Sequence, residues 1–237
     1  MSVEIYAGCS GFSYKLWKGP FYPEKLPATK FLSFYGEHLS TVEINSTFYR
    51  MPKADMLRKW AGQVPSTFRF ILKAPQRITH QKRLKDAAED VATLLDAAQV
   101  LENRLGAVLF QLPPFLRKSM ARLEEFLETL PSTVAGAMEF RHASWFDDEV
   151  MAALRHAGVS LAWVDWDETD KQGPHIVTGR VGYVRLRASD YSDEELRCWV
   201  ERLRAQSWER VYVFFKHEDE GAAPRMAQRL MQLAAEN

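Results

Sequence analysis

The 237-residue chain has only two cysteines, Cys9 and Cys198, far apart and without Cys-x-x-Cys spacing, which excludes a disulfide framework and a thiolate-based structural zinc site. No apolar run approaches the roughly 18 uninterrupted residues of a membrane helix, and no basic segment with an apolar core opens the chain. Neither an export signal nor a membrane span is expected, and a reducing cytoplasm fits. Charge of one sign is also missing: 31 Lys and Arg balance 31 Asp and Glu, so there is no global basic field of the kind non-specific nucleic-acid binders use. Any attraction for anions must be local. No Gly-x-Gly-x-x-Gly follows the first apolar run, and no His-x-His or His-Glu-x-x-His occurs, so no organic cofactor motif is present and a divalent metal is not favoured. Repeats, linkers and low-complexity tracts are lacking, which leaves residues 1–237 as one expected domain.

What is present is a balanced globular composition, 46% hydrophobic and 26% charged, in a chain close to the roughly 250 residues of a TIM barrel. Runs rich in β-branched and aromatic residues predict strands at 3–9, 41–45, 67–73, 105–111, 134–140, 159–165, 181–187 and 210–216. Helical periodicity predicts helices at 29–38, 53–61, 83–101, 119–129, 147–156, 193–205 and 222–234. Alternation between most of the strands implies parallel strands joined by right-handed crossovers, and eight such units close into a (β/α)8 TIM-type barrel, the expected fold class. The rival is a doubly wound sheet, against which the Gly8-Cys9-Ser10-Gly11 turn leads into an aromatic loop rather than a helix. Ser192, followed by Asp193-Glu194-Glu195, has the pattern of a capping box.

Strand side chains alternate between faces, so parity selects the residues that enter the barrel. Val42 and Ile44 suit the helix layer and turn Thr41, Glu43 and Asn45 inward; Phe68, Phe70 and Leu72 likewise turn Arg69, Ile71 and Lys73 inward. The same split sends in Ala107, Leu109 and Gln111, then Ala135, Ala137, Glu139 and Arg141, then Tyr183, Arg185 and Arg187; Lys216 shares a face with Tyr212 and Phe214. On the sixth strand either Val164 or Asp165 points in. Polar groups thus collect at the C-terminal ends of the strands, where barrel active sites are built. Two carboxylates face five cations there, so the residues either neutralise one another or hold an anionic ligand through guanidinium groups.

The loops over this end are aromatic: Phe12, Tyr14, Trp17, Phe21 and Tyr22, then Phe48 and Tyr49, then Trp145 and Phe146. Such rings either stack a sugar or base or form a satellite core. Arg50 and Arg141 are placed for phosphate. Trp199 and Trp208 mark either a partner surface or helix-layer packing, and the oligomeric state stays open.

The segments Gly8-Cys9-Ser10-Gly11-Phe12, Trp17-Lys18-Gly19-Pro20-Phe21-Tyr22-Pro23, Thr41-Val42-Glu43-Ile44-Asn45-Ser46-Thr47-Phe48-Tyr49-Arg50, Gln111-Leu112-Pro113-Pro114 and Glu139-Phe140-Arg141-His142-Ala143-Ser144-Trp145 together resemble the domain of unknown function 72, or YecE-like, family. The resemblance implies a TIM barrel without an established activity. Its motif residues map onto Glu43, Asn45, Tyr49, Arg50, Gln111, Glu139, Arg141 and His142. Cys9 and Phe12 stand where the family's first motif shows Thr and Trp, and Arg187-Ala188 where it shows His-Gly.

Three functions fit these residues. The first is an enzyme acting on a phosphorylated sugar or nucleotide-like anion, with Glu43 or Glu139 as acid or base and Asn45, Tyr49, Arg50, Lys73, Gln111, Arg141, His142, Trp145, Arg185 and Lys216 binding substrate. The second is a glycosidase-like hydrolase built on the Glu43 and Glu139 pair. The third is a non-catalytic binder of a phosphate-bearing metabolite or a nucleic-acid end. A small anionic ligand is the expected partner, with nucleic acid not favoured. A metal cluster would have to draw on His80, Glu139, His142, Asp165 and His217, which no metal-ligand spacing groups.

Overall fold

The computed structural model describes residues 3–165, 173–216 and 221–236. Its strands are β1 (Glu4–Ser10), β2 (Thr41–Ile44), β3 (Arg69–Lys73), β4 (Leu105–Gln111), β5 (Gly136–Glu139), β6 (Ser160–Leu161), β7 (Trp163–Asp165), β8 (Val181–Leu186) and β9 (Arg210–Phe215). All ladders are parallel, in the order β6-β5-β4-β3-β2-β1-β9-β8-β7. The two ends of that order, β6 and β7, are halves of the one expected sixth strand, parted at Ala162. β6 pairs with β5 and β7 pairs with β8, so the sheet returns on itself as a nearly closed (β/α)8 barrel.

The helices are α1 (Phe31–His38), α2 (Ser46–Tyr49), α3 (Ala54–Ala61), α4 (Ala88–Ala98), α5 (Met120–Leu127), α6 (Asp148–Ala157), α7 (Asp193–Arg204) and α8 (Ala222–Ala235). The expected helix over 83–101 is shorter at its start. Arg83, Leu84 and Asp86 adopt positive φ values of 53°, 71° and 49°, a conformation no α-helix continues through, and α4 begins only at Ala88. Elsewhere local chemistry sets the ends: Ser192 accepts from the Glu195 amide while Glu195 accepts from the Ser192 amide, a complete capping box. None of the helices among the described residues is long and apolar enough to cross a membrane.

Two cores result. The larger fills the layer between sheet and helices and takes in Val42, Ile44, Phe68, Phe70 and Leu72 from the strands. Trp199 and Trp208 are also enclosed there, at 6% and 4% exposure, so helix-layer packing accounts for both. The smaller lies inside the barrel: Tyr6, Ile71, Ala107, Leu109, Ala137, Ala162, Tyr183, Tyr212 and Phe214. On the third to fifth, seventh and eighth expected strands this set agrees with the parity assignments; Tyr6 and Ala162 extend it to the first strand and to the sixth, which parity had left open. The β3–β4 register slips by one between Phe70 and Ile71, and Gly106 is the extra residue. A Cβ at Gly106 would lie 2.6 Å from Ile71 Cδ1 and 2.8 Å from the Tyr212 hydroxyl, so the floor of the barrel closes only because that side chain is missing.

Candidate active site at the barrel mouth

At the C-terminal ends of β2, β5 and β8 the lumen stops being apolar. Arg185 is 2% exposed, and Glu43 and Glu139 are fully enclosed. The guanidinium donates through Nη2 to Glu43 Oε1 at 2.7 Å and through Nη1 to Glu139 Oε2 at 2.5 Å, with a weaker contact to Gln111 Oε1 at 3.3 Å. Tyr183 donates its hydroxyl to the other oxygen of Glu43 at 2.5 Å, and Arg141 Nε donates to Glu139 Oε1 at 2.9 Å. Each carboxylate therefore has both oxygens engaged, as a buried charge requires.

Electrostatics follow from this geometry. Burial alone would raise both glutamates, but Arg185 foremost, helped by Tyr183 at Glu43 and by Arg187 and Arg141 at Glu139, holds them below the usual carboxylate range. Burial and then the Arg185 charge bring Lys73 down to about 8. His80 is lowered by burial, then by Lys73 and Arg141. Two bases on the same wall thus find protonation disfavoured by their cationic neighbours.

In front of the buried network lies a cavity of about 520 Å³ lined by Tyr14, Asn45, Phe48, Tyr49, Lys73, Gln76, His80, Gln111, Arg141, Arg185, Arg187 and Lys216. Every residue of that lining that carries a full charge is a Lys or Arg. Asn45 donates to the Ser10 carbonyl at 3.2 Å, and Tyr14 donates to the same oxygen at 2.7 Å, fixing one wall. Lys73 Nζ stands 4.3 Å from the centre of the Phe48 ring. Ser10 Oγ and Arg185 Nε are buried at this end of the barrel without a hydrogen-bond partner among the described residues.

Of the residues expected from sequence, Asn45, Tyr49, Lys73, Gln111, Arg141, Arg185 and Lys216 do line the cavity. The other five, Glu43, Glu139, His142, Arg50 and Trp145, are placed differently. Glu43 and Glu139 sit behind Arg185 and reach no part of the lining. His142 opens a short 3-10 turn by accepting from the Ser144 amide, and Arg50 is exposed outside the lining. Trp145 requires a correction. Its ring stacks on Phe140 at 4.8 Å, its indole N–H donates to the Leu116 carbonyl at 2.7 Å, and it is fully enclosed, so no ligand reaches it. Trp17 and Tyr22 are enclosed as well and belong to the large sheet–helix core, against which Phe12, Tyr14 and Phe21 pack.

Sequence reading left out Gln76 and did not assign His80 to this wall. His80 lies on a π-helical turn, Arg77–Gln81, a conformation common at functional sites that no periodicity reveals. The metal-cluster candidates are scattered: Asp165 accepts from Tyr191 outside the barrel while Ala162 faces the lumen, which also decides the parity of the sixth strand. Among the described residues no three of His, Cys, Asp and Glu group together, and His217 lies outside those residues.

The family model described as "Protein of unknown function DUF72" matches residues 6–237. The chain belongs to the DUF72 family. It is 26% identical to the UPF0759 protein YecE of Escherichia coli (strain K12), over 96% of this chain and 92% of that protein. To the UPF0759 protein YunF of Bacillus subtilis (strain 168) it is 26% identical over 91% of this chain and 79% of that one. A crystal structure of a DUF72 family protein from Thermotoga maritima superposes with a TM-score of 0.86 at 30% identity, covering 98% and 99% of the two chains. The IolI protein, solved with a bound zinc atom, shares the fold at a TM-score of 0.60 and 11% identity.

Proposed function

We propose that this DUF72 protein is an enzyme acting on a small phosphorylated sugar or nucleotide-like anion held in the mouth cavity. One observation carries the reading: Lys73, Arg141, Arg185, Arg187 and Lys216 supply all the full charges of the lining, while the lumen carboxylates are withdrawn behind Arg185. A volume of about 520 Å³ is within the range of small-molecule sites. Planar guanidinium groups suit bidentate recognition of phosphate.

The same geometry narrows the chemistry. A general acid must be protonated near neutral pH, and Glu43 and Glu139 are both pulled the opposite way by Arg185. A glycosidase pair needs two carboxyl groups flanking an open cleft, whereas these two flank a guanidinium. Their role in this reading is to position Arg185. Zinc chemistry of the kind the IolI structure invites has only His80 as a donor on the cavity wall among the described residues. The withdrawal of both carboxylates favours one second reading, a non-catalytic binder of a phosphate-bearing metabolite.

Thermal unfolding in the presence of inorganic phosphate, ribose 5-phosphate, adenosine monophosphate and neutral sugars tests the site. A ligand at about 100 times its Kd adds about 2.7 kcal/mol of stability, a visible rise in Tm. The phosphorylated compounds should raise Tm, neutral sugars should not, and Arg141→Ala should shrink the rise. If the neutral sugars alone stabilise the protein, the anion reading is wrong. Turnover of a stabilising compound, followed by phosphorus NMR, separates enzyme from binder.

A further inference from the structure

Lys73 differs from the other cations of the mouth in what surrounds its nitrogen. It ends β3, so its side chain enters the lumen above Ile71, and its Nζ rests over the face of Phe48 at 4.3 Å. The two lumen carboxylates are engaged by Arg185 and Arg141, and Lys73 makes no salt bridge among the described residues. The nitrogen therefore faces a cavity of about 520 Å³ with one side covered by an aromatic ring and a wall of guanidinium groups nearby. Lysines desolvated beside other cations are the ones that act as amine nucleophiles.

We propose that Lys73 forms an imine with the open-chain aldehyde or ketone of the phosphorylated sugar whose phosphate the guanidinium wall holds. This rests on the anion-site reading above. The step balances without an oxidant or reductant. The lone pair of the neutral amine forms a C–N bond to the carbonyl carbon, and the C=O π pair moves onto oxygen. One proton passes from nitrogen to that oxygen, giving a carbinolamine; a proton from solvent then lets the hydroxyl leave as water. Amine, carbonyl and one proton become a protonated imine and one water. The cationic imine draws electrons from the neighbouring carbon, which suits isomerisation or carbon–carbon bond cleavage.

The electrostatics agree. With its pKa lowered to about 8 by burial and by Arg185, Lys73 is neutral in about one molecule in ten at pH 7, far more often than an exposed lysine near 10.4.

Pyridoxal 5′-phosphate carries both an aldehyde and a phosphate and serves as the probe. The full chain is incubated with it, reduced with borohydride and mapped by peptide mass. The expected result is labelling at Lys73 roughly tenfold or more above exposed lysines such as Lys53, Lys59 and Lys85, in keeping with the difference in free amine. Inorganic phosphate should compete, and in Lys73→Arg the dominant label should vanish while Lys53, Lys59 and Lys85 keep their weak labelling. Labelling spread evenly over the lysines overturns the imine, and if phosphate still raises Tm the anion site survives that loss. Dominant labelling of Lys73 that phosphate does not suppress keeps the amine and removes the anion site. Because wild-type protein localises the adduct by itself, the result does not depend on the variant folding.

Discussion

The two ends of the barrel lumen solve the same problem in opposite ways. At the floor, Tyr6, Ile71, Ala107 and Tyr212 close the space by size, with the Tyr6 and Tyr212 rings 5.3 Å apart and a glycine where a further side chain would collide. At the mouth, Arg185 bridges two enclosed carboxylates in a space that apolar residues would fill at lower cost in desolvation. A barrel needing only to stand up would resemble its floor throughout. The charged end keeps one guanidinium fixed in one orientation beside a cavity, as the proposed anion site requires.

The largest effect should come from breaking the mouth. Arg185→Met strands Glu43 and Glu139 without their shared cation and should cost about 4 kcal/mol, read from urea unfolding. Adding Glu43→Gln and Glu139→Gln should return much of that stability but not the response to phosphate. If Arg185→Met is neutral, the network is not a buried ion cluster. Breaking the floor comes next: Ile71→Ala should cost about 3 kcal/mol through the cavity it opens, with the phosphate-induced rise in Tm unchanged. Loss of phosphate binding in that variant would show that the two layers are coupled.

The smallest effect is one of pH. Glu43 and Glu139 titrate lower in the fold than in the unfolded chain, so below about pH 4.3 the unfolded chain takes up protons the fold refuses. Their stabilisation, complete above that value, fades as pH falls. Lys73, at about 8 in the fold, sheds its proton before the unfolded chain does, so stability should rise as pH climbs from about 8 toward 10. In Lys73→Met the alkaline rise should vanish and the acid loss remain.

Much of this architecture is legible from period-two alternation alone. Ile71 and Lys73 differ in parity from Phe70 and Leu72, and the structure puts the first pair in the lumen and the second among the helices. Position along a strand also assigned Arg185, Gln111 and Lys73 to the mouth, because burial of so many polar groups in one face has few structural explanations. Partners were not legible. Glu43 and Glu139 come from strands separated by two others, and nothing local says that one guanidinium from β8 spans them. Trp145 could not be told from a ligand-stacking ring, since what hides it is a carbonyl 29 residues away. The break at Ala162 left no trace either, because residues 160–165 carry an unbroken strand composition.

That break changes how the cylinder is fastened. Along most of its circumference neighbouring strands share four or more paired positions, but the hoop is completed by two residues on one side of Ala162 and three on the other. Thr178 reinforces the join, accepting from the Leu161 amide at 2.7 Å and donating to the Val159 carbonyl at 2.8 Å, and Ser160 adds a hydroxyl bond to the Val181 carbonyl. Side chains thus act as a clasp where backbone pairing runs short, and amide exchange at Leu161 reports the opening of the whole ring rather than the fraying of one strand.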